Sequence, residues 1–443
     1  MTTSLTPMMR QYLQIKEQHK DSILFFRLGD FYEMFFDDAV EASRILHIAL
    51  TARDAGKGNK VPMCGIPYHA ADNYIARLIK QGKKVAICEQ MEEPAPGKKL
   101  VEREITKIIT PGTLIADELL EGAVNNYILS LHPYEGGYGL AYADISTGEF
   151  RVTEIDGTED LYSELYKISP SEYLVPEDLA ADKRFLDIKK MSLGVVTARP
   201  AWYFDNPLAE KELKEHFGVR DLSGFGCQGL RHSISAAGAL VRYLKDTQRT
   251  ALSNIRTIAT YNISQFMTLD WNSQRNLELI ENMEDLSSSG TLLGVLDKTG
   301  SPMGKRRLKR WILNPLMRVD EIIKRQDAVD FFFAGAVKRD RARNILSRIS
   351  DIERLANKVS LGSANARDMV NLSLSLKNVK DLRGAMSGDM PELLREETDS
   401  LDVFDDVISW IDGTLVDEPP IAVKDGGIVR EGYDEELDKL RAM

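Results

Sequence analysis

Ile23-Leu24-Phe25-Phe26-Arg27-Leu28-Gly29-Asp30-Phe31-Tyr32-Glu33 is a strand-like apolar run that ends in a Gly-Asp turn signal. It passes on, ahead of a helix-like stretch, an aromatic ring and a carboxylate one residue apart. On extended backbone Phe31 and Glu33 project to one face, so the ring can wedge between bases while the acid accepts a base proton. Against sound DNA the pair is unusual, because a carboxylate repels phosphates and a ring offers only stacking. It suits a mispaired step, which costs less to unstack and kink. An isolated F-x-E also reads as core aromatics, Phe31 and Phe35, beside a solvated Glu33, and the pattern by itself leaves both readings open.

With 443 residues, 43% apolar and 28% charged, the chain is long enough for about three domains. No apolar run approaches the ~18 residues of a membrane span, and the polar-interspersed start, Met1 to Lys20, is unlike a signal peptide. A cytoplasmic protein is expected. Three cysteines, Cys64, Cys88 and Cys227, fit a reducing compartment, and Cys64, His69 and Cys88 lack the paired spacing of a zinc site. No metal is expected. A net charge of −11 argues against nucleic acid, yet residues 1–113 carry 16 Lys and Arg against 14 Asp and Glu, leaving 41 against 54 in the rest. The least acidic segment is therefore where DNA would lie, although ordinary solvated charge explains the balance as well.

Three regions follow from periodicity. In the first, Thr6 and Pro7 start a helix containing Met9, Tyr12, Leu13 and Ile15. Further helices are predicted over Asp37–Leu46 and Ala71–Gln81, with Gly82 ending the latter. Strands are predicted at Ile48–Ala52, Val61–Met63, Val85–Cys88 and Ile105–Ile109, around a Gly/Lys-rich loop from Asp54 to Lys60, and Pro111-Gly112 breaks the pattern. The second region, 126–250, begins with a hairpin of Gly139–Ile145 and Phe150–Ile155 around Ser146-Thr147-Gly148. Strands at Tyr173–Val175 and Leu193–Val196 follow, then helices at Pro207–Phe217 and His232–Thr247. From 262 the chain reads as nearly all helix. Ile345, Ile349, Ile352, Ala356 and Val359 fall on one stripe of a single long helix, and Asp320–Phe333, Arg367–Leu382, Pro391–Ile411 and Tyr433–Met443 read similarly.

In order along the chain, several blocks resemble the bacterial MutS family of DNA mismatch-recognition proteins. They begin with Leu24 to Phe35, Pro62-Met63-Cys64-Gly65-Ile66-Pro67-Tyr68-His69, Val85-Ala86-Ile87-Cys88-Glu89-Gln90 and Val101 to Thr113. They continue with Gln274 to Leu279, Gly290 to Asp297, Arg307 to Leu316, and Asp425-Gly426-Gly427 with Gly432 to Asp438. The resemblance implies a multidomain α/β plus all-α fold. A mixed α/β mismatch-binding domain would occupy 1–113, a linker 114–125 and an RNase H-like connector domain 126–250. A helical core with the first lever would occupy 262–424, and the start of the clamp 425–443.

The resemblance further implies that Phe31 stacks beside a mispaired base from the minor groove, that Glu33 hydrogen-bonds that base, and that Met63 packs near the wedge. Desolvation against DNA favours a neutral acid, so a proton on Glu33, donated to a purine nitrogen, is expected. Arg53, Lys57, Lys60, Lys83, Lys84 and Lys107 are candidate phosphate contacts. The expected partners are double-stranded DNA with mismatches or small loops, a MutL-like repair protein and, for the longer protein, a second copy in a homodimer.

The family also couples recognition to ATP hydrolysis through G-x-x-x-x-G-K-S/T. Here Gly56-Lys57-Gly58, Gly82-Lys83-Lys84, Gly97-Lys98-Lys99 and Gly304-Lys305-Arg306 all lack the Ser or Thr. ATP and Mg2+ are thus expected for the complete family protein and no cofactor for these residues. The chain reads as an N-terminal portion stopping where the clamp begins. Two alternatives stand beside mismatch binding: an interaction scaffold without DNA affinity, and an RNase H-like nuclease using Asp144, with Asp205 the one candidate metal partner.

Overall fold

Alternation of apolar side chains builds two six-stranded sheets in the part of the chain before Asn262. The computed structural model describes residues 5–56, 58–92, 101–114, 122–183, 185, 194–248 and 252–443. Helix α1 (Pro7–Gln18) starts where its chemistry dictates: Thr6 Oγ1 accepts the Met9 N–H at 3.3 Å and Pro7 sits in the first turn. It is followed by β1 (Ser22–Leu28), β2 (Phe31–Phe35), α2 (Phe36–Leu46), β3 (Thr51–Asp54), β4 (Lys60–Pro67), α3 (Ala71–Lys80), β5 (Lys84–Gln90) and β6 (Arg103–Ile109). The strands lie in the order β3-β4-β2-β1-β5-β6, with β1 and β5 parallel and the other neighbours antiparallel.

One face of this sheet, with Phe25, Tyr32, Met34, Cys64 and Ile66, packs on α2 and α3. The other, with Leu24, Phe26, Phe35 and Val61, takes Met9 and Tyr12 of α1. Cover on both faces explains why β1 and β5 are almost continuously apolar. The residues after Gly29-Asp30 are extended, as the placement of Phe31 and Glu33 on one face requires. Phe31 to Phe35 turn back along β1 as a strand, with Leu28 opposite Phe31 and Phe26 opposite Glu33, and the helix waits until Phe36.

The second sheet comprises β7 (Ile128–Tyr134), β8 (Gly137–Asp144), β9 (Glu149–Asp156), β10 (Glu172–Pro176), β11 (Val195–Arg199) and the short β12 (Ala259–Thr260). Its order is β11-β10-β7-β8-β9-β12, an antiparallel meander continued by parallel strands, the RNase H-like layout expected of a connector. Helices α4 (Thr158–Ile168), α5 (Glu177–Ala181), α6 (Asn206–Phe217) and α7 (Arg231–Gln248) complete it, and Leu240, Val241 and Leu244 of α7 pack with Ile128, Ala141 and Val152. The predicted strand at Leu193–Val196 is realised from Val195; Leu193 lies outside the described residues. β7, a central strand, is not among the expected strands. Pro133 stands at the strand's end, opposite Tyr138, where a missing donor matters least.

A buried carboxylate joins the two sheets. Glu172 of β10, fully buried, accepts from the Thr110 hydroxyl, the Gly112 N–H at 3.1 Å, the Thr197 hydroxyl at 2.6 Å and the Tyr243 hydroxyl at 2.7 Å. Gly112 permits this: a Cβ there would stand 2.7 Å from Ile128 Cβ and 2.9 Å from Glu172 Cβ.

From Asn262 the second unit is helical. It contains α8 (Trp271–Asn276), α9 (Leu292–Leu296), α10 (Pro302–Leu313), α11 (Val319–Ala334), α12 (Ala336–Leu346), α13 (Ile352–Ser360), α14 (Ala366–Ala385), α15 (Glu392–Asp399), α16 (Asp405–Thr414) and α17 (Glu435–Arg441). Two expected long helices are each broken in two. The stripe from Ile345 to Val359 is interrupted between Leu346 and Ile352, where Asp351 accepts the Arg354 N–H and grips buried Arg306 through two 2.7 Å bonds. Pro391–Ile411 is broken over residues 400–404, where Phe404 adopts φ +44. In both places apolar spacing continues across a turn, so periodicity alone reads one helix. Among the described residues no helix is long and apolar enough to cross a membrane.

Candidate nucleic-acid interface

The β1–β2 hairpin presents the F-x-E pair on one face, in a gradient of burial. Phe35 is core, Glu33 is half-buried and Phe31 at the strand's start is 47% exposed. Phe31 pairs with Pro67 and Glu33 with Gly65 of β4. Gly65 keeps the surface beside them flat: a Cβ there would lie 3.5 Å from Glu33 Cγ and 3.9 Å from Phe31 Cδ1. The bland reading thus holds for Phe35 and fails for Phe31.

Glu33 is not a solvated charge either. Arg53, on edge strand β3, reaches across β4 and donates from Nη1 to Glu33 Oε2. Met63 lies between them in the sheet, opposite Phe35, half-buried against the α1-side core, and its carbonyl accepts from the Thr51 hydroxyl at 3.0 Å. Phe31, Glu33, Met63 and Arg53 therefore share one face.

Among the described candidate cations, Lys83 and Lys84 do not gather there. Lys84 Nζ is paired with Asp21 at 2.9 Å and its side chain is buried, a correction to its place among phosphate contacts: the ion pair already occupies it. Burial pushes the Asp21 carboxyl up, but Lys84 outweighs this and holds it below the ordinary carboxylate value. Lys83 pairs with Glu41. Ser22 is opposite Lys84, so both lysines sit at the end of β1 remote from the Gly29-Asp30 turn, about 20 Å away at ~3.3 Å per residue. Burial lowers the Lys107 ammonium, with Asp72 opposing. Lys60 is exposed at the start of β4, and Lys57 lies outside the described residues.

Four residues that motif reasoning passed over brace the hairpin from its other face. The Arg27 guanidinium lies 3.6 Å from the Tyr68 ring centroid and its Nε donates to the Gly29 carbonyl, while the Tyr68 N–H donates to the Asp30 carbonyl at 3.0 Å. The Tyr32 hydroxyl donates to Glu89, and burial together with Glu89 raises its pKa. The sequence held a signal for them, since Arg27, Tyr32, Tyr68 and Glu89 all fall inside the blocks quoted above.

Elsewhere the chemistry is structural. Asp144 is fully buried and accepts the Asn126 N–H at 3.2 Å, and Asp205 caps α6 through the Leu208 N–H at 3.1 Å. Burial pushes the Cys64 thiol up to about 11 and the Cys88 thiol up to about 12. Among the described residues no group of three or more His, Cys, Asp and Glu could hold a metal ion. Asp144 is thus engaged as a backbone acceptor and Asp205 as a helix cap.

Comparison with known proteins adds an independent line. Residues 6–118 match MutS domain I, residues 126–256 MutS domain II and residues 272–442 MutS domain III. The chain is 43% identical over 443 residues to the DNA mismatch repair protein MutS of Alkaliphilus oremlandii, covering 98% of this chain and 50% of that protein. It is 44% identical to the MutS of Symbiobacterium thermophilum (99% and 50% covered) and 42% identical to that of Myxococcus xanthus (99% and 49%). The chain spans about half the length of the curated relatives it matches.

Proposed function

This chain belongs to the MutS family of DNA mismatch-repair proteins, and from that premise we propose that its first domain binds duplex DNA carrying mismatches or small loops. In this reading Phe31 enters beside the poorly stacked base and Glu33 accepts a hydrogen bond from it. The observation that carries the proposal is Phe31 itself: a ring 47% exposed at the tip of a braced hairpin, beside a glycine that leaves its flank open. Burying that ring against an unstacked base recovers stacking of about 1–3 kcal/mol, while a sound step costs more to open than a faulty one. Selection therefore comes from the DNA's own weakness, read by a rigid probe.

The ATP-driven step and its Mg2+ need a phosphate-binding loop that these 443 residues do not contain, so we assign it to no residue here. Family membership supports, as further proposals, a MutL-like partner and self-association of the longer protein. Gel-shift titration with a G·T heteroduplex and its matched counterpart tests the reading. A heteroduplex preference that disappears in Phe31→Ala supports it; retention of neither duplex favours the scaffold alternative.

A further inference from the structure

We propose that Arg53 is a specificity-determining partner of Glu33, cancelling and aiming its charge, rather than a phosphate contact. This rests on the reading above. Duplex DNA carries one negative charge per ~1.7 Å of axis, so an ionised acid brought to its surface is repelled wherever no cation accompanies it. The guanidinium supplies that cation from within the fold, in the place the sequence reading gave to a proton. Among the described residues its contact with Glu33 is at Oε2, which lets Oε1 turn toward a base beside Phe31. Arg53 keeps further N–H groups of its planar fork for a second acceptor.

The surroundings favour the pairing. Opposite Glu33, β1 contributes the apolar Phe26 and β4 contributes Gly65, which has no side chain. Arg53 comes from an edge strand and remains partly exposed, whereas Glu33 is the more enclosed partner. The acid is thereby fixed while the base stays replaceable, the arrangement expected when an acid reads and a cation supports it.

A double-mutant cycle on the full chain tests this, with G·T and matched duplexes titrated at two salt concentrations. Arg53→Met is expected to weaken heteroduplex binding on the order of tenfold. Adding Glu33→Gln is expected to remove most of that loss, and Arg53→Lys to retain part of the wild-type preference. The inference is overturned if Arg53→Met weakens both duplexes equally and lowers the salt slope by about one unit whether or not Glu33 is present, the signature of a phosphate contact. Phe31→Ala, run alongside, separates the two levels. If it keeps the full preference, or if the wild-type chain binds neither duplex, the reading itself falls; if Phe31→Ala loses the preference while Arg53 and Glu33 act additively, only this inference falls.

Discussion

Phe31 stands in solvent because the residues around it cannot cover it: Pro67 lies opposite on one side and Leu28 on the other, and Gly65 contributes no side chain. Glu33 differs, since a charge brought so near a core needs a counter-charge, which Arg53 provides. The same logic separates the lysines. Lys60→Met is expected to weaken heteroduplex and matched duplex alike and to reduce the salt slope by about one unit. Lys84→Met is expected to leave that slope unchanged and to lower folding stability instead, because it removes the partner of Asp21; salt titration and urea unfolding read the two effects. Period-two alternation was enough to put Phe31 and Glu33 on one face. It could not supply Arg53 as a partner, because that contact spans three strands and twenty residues of sequence and has no local signature.

Elements carry their own titration. His132 of β7 is stacked between Phe204 and His232, 6.2 and 5.4 Å between centroids, with the two Nδ1 atoms 3.3 Å apart. Burial, then the neighbouring His232, lowers His132 to about 4, with Asp178 opposing. Its folded value lies below the ordinary one of ~6.5, so above that pH both states are neutral and the shift costs nothing. As pH falls from ~6.5 toward 4 the unfolded chain takes up the proton and the folded chain does not, so stability declines across that window, by about 2–3 kcal/mol at its foot. His132→Gln should flatten the profile in urea titrations between pH 7 and 4; an unchanged slope would remove His132 as its source. Elements were largely legible where caps agree with periodicity, as at Thr6-Pro7. They were misread where a polar residue answers a distant partner: Asp351 ends the apparent stripe because Arg306, 45 positions earlier, holds it.

For the whole molecule, the division into mixed sheets and a helical second half was legible in the change of period near residue 262. The joint was not, because Glu172 reads as an ordinary charge and its burial depends on Thr110 and Gly112, Thr197 and Tyr243 arriving from three separate segments. Four donors on one buried carboxylate tie the Thr110–Thr113 turn to the second sheet. Glu172→Gln, which turns an acceptor into a donor among donors, should cost about 3 kcal/mol in urea unfolding, and a cost under about 1 kcal/mol would contradict the joint. That joint ties the first sheet's closing turn to the second sheet, yet the central claim rests on the ring of Phe31. The most direct measurement is the ratio of equilibrium affinities for a G·T heteroduplex and the identical matched duplex, wild type against Phe31→Ala. The prediction is a wild-type preference that falls by at least about tenfold in the variant while matched binding changes little; an unaltered ratio would contradict the account.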